Sequence, residues 1–200
     1  MPATPLVNSP RRGALGWVFL DRDGTLNVKP PAGEYIERAD DLALLPGAAE
    51  AVRVLNRAGI WTGVVTNQRG VALGRMSAAE LDAVHERLAA LLAREGASLD
   101  AIYACVHAAD ECDCRKPRPG MLLRAREEQP GLDFGRAAIV GDSLTDIEAG
   151  RSVGVRTILI EASDGGEPSA ASRLADDVVG DLLHAARLLL AAPLAPRSEP

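Results

Sequence analysis

The 200-residue chain has a formal net charge of −6, so no general nucleic-acid surface is expected, although a local basic pocket would not register in that sum. Hydrophobic residues make up 47% and aromatics only 3%, giving a mostly aliphatic core large enough to need no disulfide or metal merely to hold it together. No apolar run approaches the ~20 residues of a membrane helix, and Met1 to Gly13 lacks a signal peptide's apolar block, so a cytoplasmic protein without a membrane partner is expected.

Residues 1–13 read as a flexible N-terminus, 14–192 as a single domain and the Pro-rich residues 193–200 as a flexible tail. The first strand is the apolar run beginning at Val18, which breaks at Asp21-Arg22-Asp23-Gly24-Thr25. Val28 to Asp41 is loop-like, with Pro30, Pro31 and Gly33. Pro46 to Ala58 reads as a helix, with Ala51, Val52, Leu55 and Ala58 on one face and Gly59 as its stop. Ile60 to Thr66 is a second strand, and Ser77 with Glu80 predicts a capping box before a helix faced by Leu81, Val84, Leu88, Leu91 and Leu92.

Ala101 to Val106 is a third strand, followed by a helix over Gly120 to Glu128 and a fourth strand over Ala137 to Val140. Leu144 to Val153 reads as a helix, Val155 to Ile160 as a strand, Ser163 to Ser172 as a loop and Asp181 to Ala191 as the last helix. Alternating strands and helices predict an α/β fold: a Rossmann-like, open, mainly parallel sheet with helices on both faces. No insertion between Asn27 and Thr66 is long enough for a large cap domain.

Open α/β sheets bind ligands beyond the carboxyl ends of their strands. Those ends carry Asp21 and Asp23, Thr66 and Asn67, and Asp142, with Arg115 and Lys116 beyond the third strand. Asp21 and Asp23 alone could cap a turn, bind a divalent cation or divide nucleophilic and acid/base roles. Acids, a hydroxyl and cations on one rim suit metal-assisted phosphoryl transfer.

The four clusters resemble the motifs of haloacid dehalogenase superfamily phosphatases, as Asp21-Arg22-Asp23-Gly24-Thr25, Thr66-Asn67, Lys116-Pro117, and Gly141-Asp142 with Asp146. The resemblance implies Asp21 as nucleophile, forming an aspartyl phosphate, and Asp23 as general acid and then base. It implies Mg²⁺ at Asp21, Asp142 and the Asp23 main-chain carbonyl, with Thr66 and Lys116 holding the phosphoryl oxygens. Arg22, Asn67, Gln68 and Arg115 are the implied contacts to the rest of a small phosphorylated substrate. The chain has 20 Arg but only two Lys, Lys29 and Lys116, so the motif lysine stands out as a compact charge in an Arg-rich protein.

Cys105, His107, Cys112 and Cys114 supply three thiolates and one imidazole, the complement for a closed tetrahedral zinc that would stabilise this loop. With the following Arg115-Lys116-Pro117, the cluster narrows the resemblance to the branch of D-glycero-D-manno-heptose-1,7-bisphosphate phosphatases and histidinol phosphatases. Val106, Arg69, Ser143 and the long Val28 to Tyr35 segment depart from the usual branch pattern, all where the remainder of the substrate would be read. The resemblance implies a monomer removing the C7 phosphate of the heptose bisphosphate. The alternatives are a phosphatase for histidinol phosphate, whose amine Glu34, Glu37 or Asp40 would meet, or for another small sugar phosphate, and a non-enzymatic zinc-stabilised binding module. His85, His184, Trp17 and Trp61 read as structural, while Arg69 and Arg75 read equally as surface residues or partners of a second phosphate.

Overall fold

The computed structural model describes residues 15–109, 111–161 and 167–191. The expected termini, 1–13 and 193–200, lie outside them. β1 (Trp17–Leu20), β2 (Trp61–Asn67), β3 (Ala101–Cys105), β4 (Ala137–Gly141), β5 (Arg156–Ile160) and β6 (Asp177–Val179) form one parallel sheet in the order β3-β2-β1-β4-β5-β6. The chain leaves β1 toward β2 on one side and later returns to place β4 on the other. The strand order therefore reverses at β1, where the loops part and open a crevice.

Because successive strand residues face opposite sides, the apolar runs bury two surfaces. Val18, Leu20, Val64, Val140 and Ile158 pack on one face with α1 (Ala48–Arg57), α2 (Ala78–Arg94) and α6 (Leu182–Ala191). Phe19, Val65 and Ile139 face the other way, onto α3 (Gly120–Glu128) and α4 (Leu144–Ser152), which contribute Met121, Leu122 and Ala149. α5 (Ala170–Leu174) adds Ala171 to a smaller cluster with Ile147 and Leu159. β1 is thus covered on both faces and paired on both edges, which makes its carboxyl end a rigid platform.

The capping box forms as the sequence predicts: the Glu80 N–H donates to the Ser77 hydroxyl at 3.2 Å and the Ser77 N–H to the Glu80 carboxylate at 2.7 Å. α1 starts later than expected, at Ala48, because Gly47 turns left-handed (φ +78°) and leaves Pro46 outside the helix. The loop expected over 163–172 contains the start of α5, and the three-residue β6 extends the five expected strands to six. A five-residue helix and a three-residue strand are too short to express a hydrophobic period. β6 is pinned by charge instead, through Arg156–Asp177 at 2.8 Å and the Asp176 carboxylate accepting from the Thr157 N–H at 2.7 Å.

Among the described residues, the 28–47 connection contains one 3-10 turn, Ala39–Asp41, and an antiparallel bridge from Leu44 to Asn27, with no separate cap domain. Residues 29–35, with Arg115 and Lys116, line the cleft at the strand ends instead.

Candidate active site

The Asp21 N–H donates to the Val140 carbonyl at 2.9 Å, continuing the β1–β4 ladder one residue beyond the strand. The chain then turns tightly, with the Arg22 carbonyl accepting from the N–H groups of Leu26 and Asn27 at 2.9 and 3.1 Å. Gly24 is required here twice over. Its φ is +92°, and a Cβ would lie 2.1 Å from an Asp142 carboxylate oxygen. The missing side chain is what lets Asp142, at the end of β4, approach Asp21.

Asp21, Asp142 and Asp146 each offer a carboxylate oxygen, all within 4.8 Å of one another. One ammonium is driven into this group: Lys116 Nζ pairs with Asp21 at 2.7 Å and with Asp146, and donates to the Val65 carbonyl at 2.6 Å. Asn67, at the end of β2, brackets the Lys116 peptide, accepting from its N–H and donating to its carbonyl, both at 3.0 Å. Burial, against the pull of Lys116 and with the push of Asp146, raises the Asp21 carboxyl to about 7. Burial opposes the charge on Lys116, but Asp146 and Asp21 outweigh it and hold the ammonium protonated.

Asp142 is likewise raised, by burial first and against Lys29, and its Oδ1 is buried without a hydrogen-bond partner. An orphaned carboxylate oxygen beside two other carboxylates is a hard, oxygen-rich set of donors that fits a divalent cation such as Mg²⁺.

Asp21, Asp23, Thr66, Asn67, Arg115, Lys116 and Asp142 all line one cleft of about 310 Å³. Arg22 and Gln68, expected to contact substrate, do not line it. Arg22 is fully buried, forking Nε and Nη2 onto the two Asp23 carboxylate oxygens at 3.1 and 3.0 Å. Gln68 accepts from Arg22 at 3.1 Å and donates to Asp23 at 2.9 Å and to the Thr66 hydroxyl at 2.7 Å. The turn that begins at Arg22 is the reason: it leaves Asp21 and Asp23 lining the cleft while the Arg22 side chain is buried against Asp23 and Gln68. Asn27 completes the support, donating to Asp23 at 2.9 Å.

Two further residues join the site without having been assigned a role from sequence. Asp146 is fully buried and caps α4 through the Ser143 N–H at 3.1 Å while pairing with Lys116. Its signal was the Ser-x-x-Asp spacing, which also accounts for Ser143 as the residue after Asp142. Lys29 reaches Asp142 at 2.6 Å, and its signal was lysine scarcity. Of the bland readings, His85 is half-buried, and desolvation together with Arg22 brings its imidazole down to about 4 and keeps it neutral. Trp61 packs edge-on against Phe19, Arg69 donates to the Tyr35 hydroxyl at 3.4 Å, and Arg75 pairs with Glu37 at 2.9 Å.

Beside the cleft, Cys105 at the end of β3 meets Cys112 at 3.5 Å and His107 Nδ1 at 3.8 Å, and Cys114 lies 3.2 Å from both His107 Nδ1 and Cys112. These are close to the ~3.8 Å edges of a tetrahedron with metal–sulfur bonds of about 2.3 Å. All three cysteines are free thiols. Burial and the neighbouring Cys112 and Cys105 push the Cys114 thiol up to about 12 and burial raises Cys105, whereas Cys112, opposed by burial, is brought down to about 7 by hydrogen bonds with Cys114 and Cys105. The loop is closed onto α3 where the Gly120 N–H donates to the Asp113 carbonyl at 3.0 Å, and a Cβ on Gly120 would lie 2.4 Å from that oxygen.

A sequence model of haloacid dehalogenase-like hydrolases matches residues 15–154. A D-glycero-beta-D-manno-heptose-1,7-bisphosphate 7-phosphatase of Pseudomonas aeruginosa is 40% identical over 74% of this chain and 82% of its own length. The corresponding alpha-anomer phosphatase of Mycobacterium bovis is 38% identical over 72% of this chain and 75% of its own. Among solved structures, the D,D-heptose 1,7-bisphosphate phosphatase from B. bronchiseptica complexed with magnesium and phosphate superimposes with a TM-score of 0.76. It shares 33% identity and covers 88% of this chain and 99% of its own. With the strand-end carboxylates, the buried lysine and the sheet order already in place, the chain belongs to the haloacid dehalogenase-like hydrolase family.

Proposed function

We propose that this chain is a Mg²⁺-dependent phosphatase that removes the C7 phosphate of D-glycero-D-manno-heptose 1,7-bisphosphate, acting as a cytoplasmic monomer. The observation that carries the reading is the convergence of Asp21, Asp142 and Lys116 on one cleft whose wall holds two further cations, Lys29 and Arg115. That wall can receive a second anionic group. Free, clustered thiols also suit a reducing compartment.

In this reading a carboxylate oxygen of Asp21 attacks phosphorus and the bond to the C7 oxygen breaks, leaving an aspartyl phosphate. Asp23 gives its proton to the departing alkoxide and recovers one from the water that attacks the intermediate, releasing phosphate and restoring Asp21. Thr66 and Lys116 hold the phosphoryl oxygens as charge redistributes. Mg²⁺, held by Asp21, Asp142 and the Asp23 carbonyl, would supply charge neutralisation for an anionic nucleophile meeting a phosphate dianion. Arg22, Gln68 and Asn27 keep the Asp23 carboxylate in one orientation through both steps.

Histidinol phosphate would need an acid for its amine. Glu34 lines the cleft, whereas Glu37 is engaged by Arg75. Two wall cations against one acid favour a bisphosphate. Rates measured side by side should favour heptose bisphosphate over histidinol phosphate by at least ~10-fold, as expected for a buried polar site deprived of its partner. The reverse preference would move the substrate and leave the chemistry standing.

Zinc at Cys105, His107, Cys112 and Cys114 would be structural, since no coordination position is left open. It would stiffen the loop that presents Arg115 and Lys116. Metal analysis of the purified protein should find about one zinc per chain, and an active protein free of zinc would remove this assignment.

Because the metal-free Asp21 carboxyl sits at about 7, a cation must displace its proton below that pH. Calorimetric Mg²⁺ titration should therefore show affinity falling as pH drops through about 7, with proton release on binding. Affinity that is flat from about pH 6 to about pH 8 would contradict the raised Asp21 value.

A further inference from the structure

The carboxylates at the strand ends are served by two ammonium groups of different kinds. Lys116 is buried, held by Asp21, Asp146 and the Val65 carbonyl, with its peptide bracketed by Asn67. Lys29 reaches in from the loop beyond the first turn, and its side chain is 54% exposed. Its one ion pair among the described contacts is with Asp142 Oδ2, at 2.6 Å. The other oxygen of the same carboxylate, Oδ1, is buried and unpartnered. Asp142 is therefore half satisfied by a removable group and half waiting for a ligand.

We propose that Lys29 exchanges partners: it neutralises Asp142 until a divalent cation takes that carboxylate, and it then turns its ammonium to the substrate phosphate that is not being cleaved. The inference rests on Asp142 being a metal ligand, as proposed above. A divalent cation bonded to Asp142 repels the nearby Lys29 ammonium and draws charge from the carboxylate it pairs with, so the exposed Lys29–Asp142 pair weakens when the cation binds. Lys116 has no such freedom, because it is buried and paired with two acids. The exposed arm of Lys29 has four rotatable carbons and lines the same cleft as Arg115 and Tyr35. Released from Asp142, it remains at the cleft wall, where its nearest use is an anion.

This gives Lys29 two coupled effects. It weakens cation binding in the absence of substrate, and it strengthens binding of a substrate that carries a second phosphate. Opposite signs in the two assays are the signature, since a residue that merely supports the loop would weaken both.

The test uses the full-length, zinc-replete protein and its Lys29→Gln, Lys29→Arg and Arg115→Gln variants. Calorimetric titration with Mg²⁺ alone should show Lys29→Gln binding about two- to fivefold more tightly than wild type, the range of a partly exposed ion pair. Lys29→Arg should stay near wild type, and Arg115→Gln should change less than Lys29→Gln. In steady state, Lys29→Gln should raise KM for heptose 1,7-bisphosphate by about two- to fivefold, again the range of one partly exposed ion pair. KM for heptose 7-phosphate should rise less than KM for the bisphosphate. Unchanged or weaker Mg²⁺ binding in Lys29→Gln, an equal effect in Arg115→Gln, or equal KM changes for both substrates would each overturn the proposal. Wild-type protein that binds no Mg²⁺ would instead overturn the metal-site reading itself.

Discussion

Like charges brought together at the switch point of the sheet are the constraint on which the rest of the structure depends. Asp21, Asp142 and Asp146 arrive from two neighbouring strand ends and the first turn of α4, and their mutual repulsion must be offset before the chain can fold. Lys116 does this from the interior, reaching across from the far side of β2. A buried pair of this kind contributes little net stability, yet removing one partner leaves an uncompensated buried charge, which typically costs 3–5 kcal/mol. The loop that carries Lys116 is accordingly held at both ends, by Asn67 on its backbone and by the cysteine cluster just before it. Positive charge is still short with Lys116 in place, and that deficit suits a divalent cation.

The same turn separates two carboxylates into two environments. Asp21 faces Lys116 and Asp146, whereas Asp23, two residues on, receives hydrogen bonds from Arg22, Gln68 and Asn27 and none from Lys116 among those described. A carboxylate wedged among like charges is suited to bonding with an electrophile. One fixed by several donors is held in a single orientation. Gly24 makes the division possible by allowing Asp142 to come alongside without touching Asp23's supports.

Much of this was legible from residue order, because it depends on features that leave a local mark. Short aliphatic runs ending in acids marked β1 and β4, and Ser77 with Glu80 marked the start of α2. What escaped depended on three-dimensional neighbours. The role of Arg22 could not be read from its position between two catalytic-looking acids; the turn after β1 buries it, where it hydrogen-bonds to Asp23. Asp146 was visible as part of a motif but its contact with Lys116 spans thirty positions, and no local spacing encodes it. Lys29 and Asp142 are further apart still. α5 and β6 were missed because five and three residues are too few for a hydrophobic pattern to recur, and their placement comes from Arg156, Thr157 and Ser169 instead.

The central claim is that Asp21, and not its neighbour Asp23, bonds to phosphorus. The direct measurement is to acid-quench the enzyme during turnover of heptose 1,7-bisphosphate, reduce the acyl phosphate with borohydride and map the product by mass spectrometry. The account predicts that the peptide spanning Asp21 carries homoserine at that position, with Asp23 unmodified. Modification at Asp23, or turnover without any trapped acyl phosphate, would contradict it.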